Sequence, residues 1–147
     1  MSKSKKIIGV IVLAFVLIQF IRIDKSVPEF DKSKDFIAIT QPPVEVANIL
    51  KNACYDCHSY NTKYKWYAEI APVSFFIKYH INEGRDELNF SLWGDYAQNK
   101  SDHKLEASVE HVEEGEMPLW SYRIAHPEAQ LSNAQKEQLM SWFKSLR

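Results

Sequence analysis

Cys54, Cys57 and His58 stand together in the run Cys54-Tyr55-Asp56-Cys57-His58, and Cys-x-x-Cys-His is the spacing through which a c-type haem is attached. Two thiols on one helical turn can add to the two vinyl groups of one porphyrin, while the next residue brings an imidazole under the iron. With two cysteines and five histidines in 147 residues, chance produces this arrangement about five times in ten thousand. The spacing itself is therefore the signal. It makes Cys54 and Cys57 the candidate covalent positions for one haem c per chain, and His58 the candidate proximal iron ligand.

Three other uses of these side chains compete. A thioredoxin-like dithiol also uses Cys-x-x-Cys, but it expects a strand leading into the motif, whereas the residues before Cys54 read as a helix. Zinc needs further ligands, and no second cysteine pair or clustered histidine pair is present. A disulfide across two intervening residues closes too short a loop to stabilise much.

A haem with one histidine is either open for chemistry or closed by a sixth ligand, and Met/His ligation is the cytochrome c solution that raises the potential. Met117 lies in the polar turn Glu113-Glu114-Gly115-Glu116-Met117-Pro118, where a thioether has little reason to be unless it points inward. It is the first candidate for the distal position. His80 is the second, because it shares a helical face with Val73, Phe76 and Ile77. Met140 reads as a core or surface residue of the last helix, His111 as solvated, and His103 and His126 as turn residues. Tyr60, Tyr64, Trp66, Tyr67, Phe75 and Phe76 follow the motif closely, and flat side chains suit packing on a porphyrin.

The elements that must carry these groups are helical. Pro42-Pro43 opens a helix, and Val46, Leu50 and Cys54 follow at spacings of four, so a helix over about 43 to 55 ends in the cysteine pair. A second helix carries Val73, Phe76, Ile77 and His80, with Gly84 as its expected stop. Leu105, Val109 and Val112 mark a third, before Gly115. The last begins with the capping-box pattern Ser132-Asn133-Ala134-Gln135 and carries Leu139, Trp142, Phe143 and Leu146 on one face.

Upstream, Ile7 to Phe20 is interrupted only by Gly9 and Gln19, and Lys3, Lys5 and Lys6 precede it. The apolar stretch is at the lower length limit for a bilayer span. Basic residues ahead of it put the N-terminus in the cytoplasm and the remainder on the periplasmic or extracytoplasmic side. No small-residue cleavage site follows. The expected organisation is a transmembrane anchor over 1–23, a solvated tether over 24–40 and a haem-binding domain over 41–147. A formal charge of −1 offers no basic face for nucleic acid.

These segments resemble the c-type cytochrome superfamily, and more closely the bacterial haem-binding domain family that carries Cys-x-x-Cys-His in a membrane-tethered domain. The resemblance covers about 43–147. It rests on Asn52 to Ser59, Trp66 to Pro72, Gly84-Arg85, Leu88 to Ser91, Met117-Pro118 and the final helix from Leu131 to Leu146. It implies an all-α, cytochrome c-like, haem-wrapping fold with the motif near the C-terminal helix, and it matches Met117 to the methionine-proline element of the distal ligand. The expected function is one-electron transfer by a mono-haem carrier rather than an enzyme, exchanging electrons with redox partner proteins. Two alternatives stand beside it. One is a five-coordinate haem that binds or reduces peroxide or a small gas, and the other is a thiol-disulfide oxidoreductase without haem.

Overall fold

The computed structural model describes residues 2–147; Met1 of the expected anchor lies outside them. Helix α1 spans Lys3–Ile18 and buries none of its side chains against the protein. The transmembrane helix expected over 1–23 is not found: among the described residues no helix is long and apolar enough to cross a membrane. The 16 residues of α1 rise about 24 Å, short of a ~30 Å hydrocarbon layer. Gln19 marks the end. Its amide nitrogen donates to Phe15 O at 3.0 Å and Ala71 O at 2.9 Å, and its amide oxygen accepts from Ala71 N at 3.0 Å. The chain beyond is thereby turned onto the surface of the domain.

The segment expected to be a tether joins the core. Asp31 caps a 3₁₀ turn at Lys32–Lys34, and Asp35 caps the short helix α2, Phe36–Thr40, by accepting from Ile37 N. Asp35 also accepts from the Tyr55 hydroxyl at 2.8 Å, which ties α2 to the cysteine motif. Phe36 is wholly buried, with its ring 5.0 Å from Phe90, 4.7 Å from Trp93 and 6.0 Å from Phe143. One aromatic side chain thus converts a charged spacer into structure, because burying a ring outweighs ordering a few polar residues around it.

Helix α3, Val44–Ala53, presents Val46, Ile49, Leu50 and Ala53 to the interior. It stops at Cys54, whose φ of −126° leaves the helical region, and the chain resumes as the single turn α4, Tyr55–His58. A 3₁₀ turn at Trp66–Glu69 leads to α5, Val73–Glu87, and another 3₁₀ segment follows at Phe90–Asp95. Then come α6, Gln98–Glu113, α7, Trp120–Ala125, a 3₁₀ turn at Pro127–Ala129 and α8, Asn133–Ser145. No strand occurs among the described residues.

Helices α3 and α6 both pack on α8, and α4 packs on α5. The expected capping box forms: Ser132 accepts from Gln135 N, and the Gln135 side chain accepts from Ser132 N. Leu105, Val109, Val112, Leu139 and Phe143 meet Phe36, Leu50 and Phe90 in one cluster. Gly115 ends the α6 segment at φ 78°, as a left-handed C-terminal glycine does. Gly84 does not end α5, which runs a further turn to Glu87; its reason is a close approach, described next.

Candidate functional site

Helix α5 crosses the cysteine motif at Gly84. A Cβ at this position would lie 3.0 Å from Cys57 O and 3.3 Å from Cys57 C and Cβ, so a side chain here would press the two backbones a few tenths of an ångström apart. The crossing sets the imidazole. His58 Nδ1 is 2.8 Å from Gly84 O and 3.1 Å from Leu88 O. Both neighbours are carbonyls, which accept, so Nδ1 carries the proton and Nε2 keeps its lone pair. A backbone carbonyl on the far nitrogen is the usual way a metal-ligating histidine has its tautomer and ring orientation fixed. Burial pushes the His58 pKa below the ordinary value, against the opposing pull of the two carbonyls, and this too favours the neutral ring.

Gly84→Ala sets two effects against each other. Alanine improves helix propensity by about 1 kcal/mol, while forcing a methyl against backbone costs about 1–3 kcal/mol. The clash is with main chain that cannot swing away, so we expect a net loss of about 1 kcal/mol in urea unfolding, with a displaced His58 signal in NMR.

Cys54 and Cys57 are both free thiols. Burial pushes Cys54 up to about 12 and Cys57 up to about 11. A dithiol oxidoreductase needs the opposite, a nucleophilic thiolate with a lowered pKa. The burial around Cys54 and Cys57 acts in the opposite direction, and a helix rather than a strand leads into the motif.

Cys57 and the intervening Asp56 open onto a solvent-connected cleft of about 220 Å³. Tyr64, Tyr67 and Tyr122 line it, together with Val73, Phe76, Ile77 and Ile81 of α5, His80, and His126. Its walls, mainly apolar and aromatic, are of the kind against which a flat cofactor packs. The Tyr64 hydroxyl on its wall is buried and has no hydrogen-bond partner. Such a donor is costly to leave unpaired, and a carboxylate-bearing ligand would satisfy it. The aromatic wall and this orphan hydroxyl fit a flat, carboxylate-bearing group such as haem, and of the three motif side chains Cys57 lines the cleft while Cys54 and His58 do not.

The candidate residues divide between two sides of the motif. Cys57 and His80 line the cleft, whereas Cys54 and Met117 pack against the buried core cluster. His80 Nδ1 donates to Phe76 O at 2.9 Å, which leaves its Nε2 unoccupied. Met117 is half-buried, and its backbone N–H donates to His111 O at 3.0 Å. The His58 ring lies 6.4 Å from that of Phe90, a member of the same cluster. Arg85 does not pair with the neighbouring acids: its Nε donates to Ser59 O at 2.9 Å and its Nη2 to Thr62 Oγ1 at 3.0 Å, bracing the loop after the motif. Met140 packs on the core, and His111 is exposed beside Glu116.

Residues not singled out from the sequence complete the wall. The Tyr122 hydroxyl donates to Asp56 Oδ2 at 2.8 Å, and Asp56 Oδ1 accepts from Lys63 N at 2.9 Å. His126 is 4% exposed. Its ring stacks on Tyr122 at 3.9 Å, its Nε2 meets the Tyr67 hydroxyl and its Nδ1 lies 3.3 Å from Glu128. Adjacent proline marks His126 as a turn residue, and only the tertiary fold shows that this turn is buried.

Burial, and secondarily the Lys65 charge, holds the His126 pKa below the ordinary imidazole value. A base with a depressed pKa folds best uncharged. Its contribution is therefore complete above about pH 6.5 and is lost as pH falls through the depressed value, with a slope of at most about 1.4 kcal/mol per pH unit for one proton. Denaturant unfolding between pH 7.5 and 5 should lose stability more steeply in the native chain than in His126→Gln. Equal slopes would show that His126 is not buried neutral.

A family model described as a haem-binding domain matches residues 13–145. No curated protein and no solved structure matches the chain.

Proposed function

The chain belongs to the haem-binding domain family, and from that premise we propose that it is a mono-haem c-type cytochrome serving as a one-electron carrier at a lipid surface outside the cytoplasm. The observation that carries the reading is His58, whose Nδ1 is committed to the Gly84 and Leu88 carbonyls beside two unbridged thiols. Haem, when bound, supplies the ferrous–ferric couple. Cys54 and Cys57 would hold it as thioethers and His58 would ligate it through Nε2. Tyr64, Tyr67 and the α5 side chains on the cleft wall would shield a haem packed against them from water, which tunes its potential. The exposed apolar α1, with Lys3, Lys5 and Lys6 at its start, supports association with lipid. The extracytoplasmic side is supported by the same basic residues.

Met117 is the first reading for the distal ligand, because it lies against the cluster that also holds Cys54 and the Phe90 neighbour of His58. His80 is the second, favoured by its free Nε2 on the cleft wall. A spectrum of the oxidised protein separates them. We expect the long-wavelength sulfur-to-iron band, its loss in Met117→Ala with a gain of carbon monoxide binding, and its retention in His80→Ala. Absence of the band, with carbon monoxide gained only in His80→Ala, would move the ligand to His80. Carbon monoxide binding by the unaltered protein would favour the five-coordinate alternative. Failure to take up one electron reversibly in a redox titration would overturn the carrier reading.

A further inference from the structure

From Ile7 to Ile18 helix α1 carries only apolar residues and glycine, and it buries nothing against the protein, which in a stable helix calls for an apolar surrounding. It is also not loosely attached. The Gln19 amide forms a two-way pair with the Ala71 backbone, Arg22 donates to Glu69 O at 2.8 Å, and Lys25 pairs with the Glu69 carboxylate. These bonds place the end of α1 between the Trp66–Glu69 turn and the start of α5, where Val73 and Phe76 enter the wall of the cleft.

The rim of the cleft is rich in exposed apolar residues. Trp66 is 75% exposed, Trp120 69% and Ile124 72%, and each adjoins a residue that lines the cleft: Tyr67, Leu119 and Ala125 respectively. Ile70, Val73 and Phe76 are exposed as well. Single exposed apolar residues mean little, but Trp66, Val73, Phe76, Trp120 and Ile124 all line one cleft or adjoin its lining residues, and a group of this kind marks an interaction surface. Its chemistry is that of an interfacial belt: amphipathic rings beside an apolar helix with a basic end.

We infer that the mouth of the cleft is pressed to the same lipid surface that receives α1, with Trp66, Trp120 and Ile124 seated at headgroup level. This rests on the lipid association proposed above and adds the orientation of the domain. The tie at Gln19 sets that orientation, because an exposed apolar helix fixed beside an exposed apolar rim lets one bilayer cover both.

The test uses the full haem-loaded chain in phosphatidylcholine–phosphatidylglycerol vesicles that carry a diazirine lipid with its probe near the headgroup. After photolysis, labelled peptides are mapped by mass spectrometry. We expect label on α1 and also on peptides containing 66–79 and 120–124, with α6 at background. The double substitution Trp120→Glu, Ile124→Glu should lower rim labelling by about tenfold while leaving α1 labelled. Label confined to α1, or rim labelling unchanged in the double variant, would overturn the orientation and leave lipid association standing. Absence of label on α1 would overturn lipid association and the orientation with it.

Discussion

Replacing Cys54 and Cys57 together by serine should abolish all haem that survives denaturation. In a haem stain of a denaturing gel, the native chain gives a band at its own position and the double variant gives none. The two thiols are unbridged, and each would add across one vinyl group of the porphyrin, hydrogen to one carbon and sulfur to the other. Serine is nearly isosteric but forms no thioether. Each single variant retains one link and should stain, since the remaining sulfur still anchors the porphyrin. His58→Ala tests a different feature: both sulfurs remain, so residual covalent haem is expected but with an altered spectrum. A native chain without stain would contradict covalent attachment directly, whatever the variants did.

Phe36→Ala should cost about 3–5 kcal/mol, the range for removing a fully buried aromatic ring. The ring contacts Phe90, Trp93 and Phe143, and α2 around it is bonded to the motif through Asp35 and Tyr55. Loss of this magnitude is a large part of the stability of a small domain, so the variant should unfold at much lower urea concentration and yield less haem-loaded protein. Ile39→Ala, on the same short helix but 47% exposed, is the control and should cost no more than about 1.5 kcal/mol. If Phe36→Ala proved as mild as the control, residues 24–40 would be the spacer that their charges suggest.

That contrast shows where the sequence is legible. The cysteine motif, the α8 capping box and the Leu105, Val109, Val112 face all depend on neighbours within one or two helical turns, and local spacing reports them. Phe36 was masked by Asp31, Lys32, Lys34 and Asp35 around it, because a single buried ring leaves no periodicity. Gly84 looked like a helix stop, since glycine serves both at C-termini and where two backbones meet, and only the position of Cys57 decides between them. His126 and Tyr122 were silent for the same reason: their partners Tyr67 and Asp56 lie 59 and 66 residues away. The apolar N-terminal run suggested a span, but Gln19, one polar residue in an apolar stretch, finds its partners at Ala71 and the helix ends there.

The most direct measurement is the intact mass of the mature protein under denaturing conditions, with alkylation to count free thiols. The expected result is one haem added to the mass of the amino acids, with neither Cys54 nor Cys57 alkylated. A mass equal to the polypeptide alone, with both cysteines modified by the reagent, would contradict covalent haem and the carrier function that depends on it.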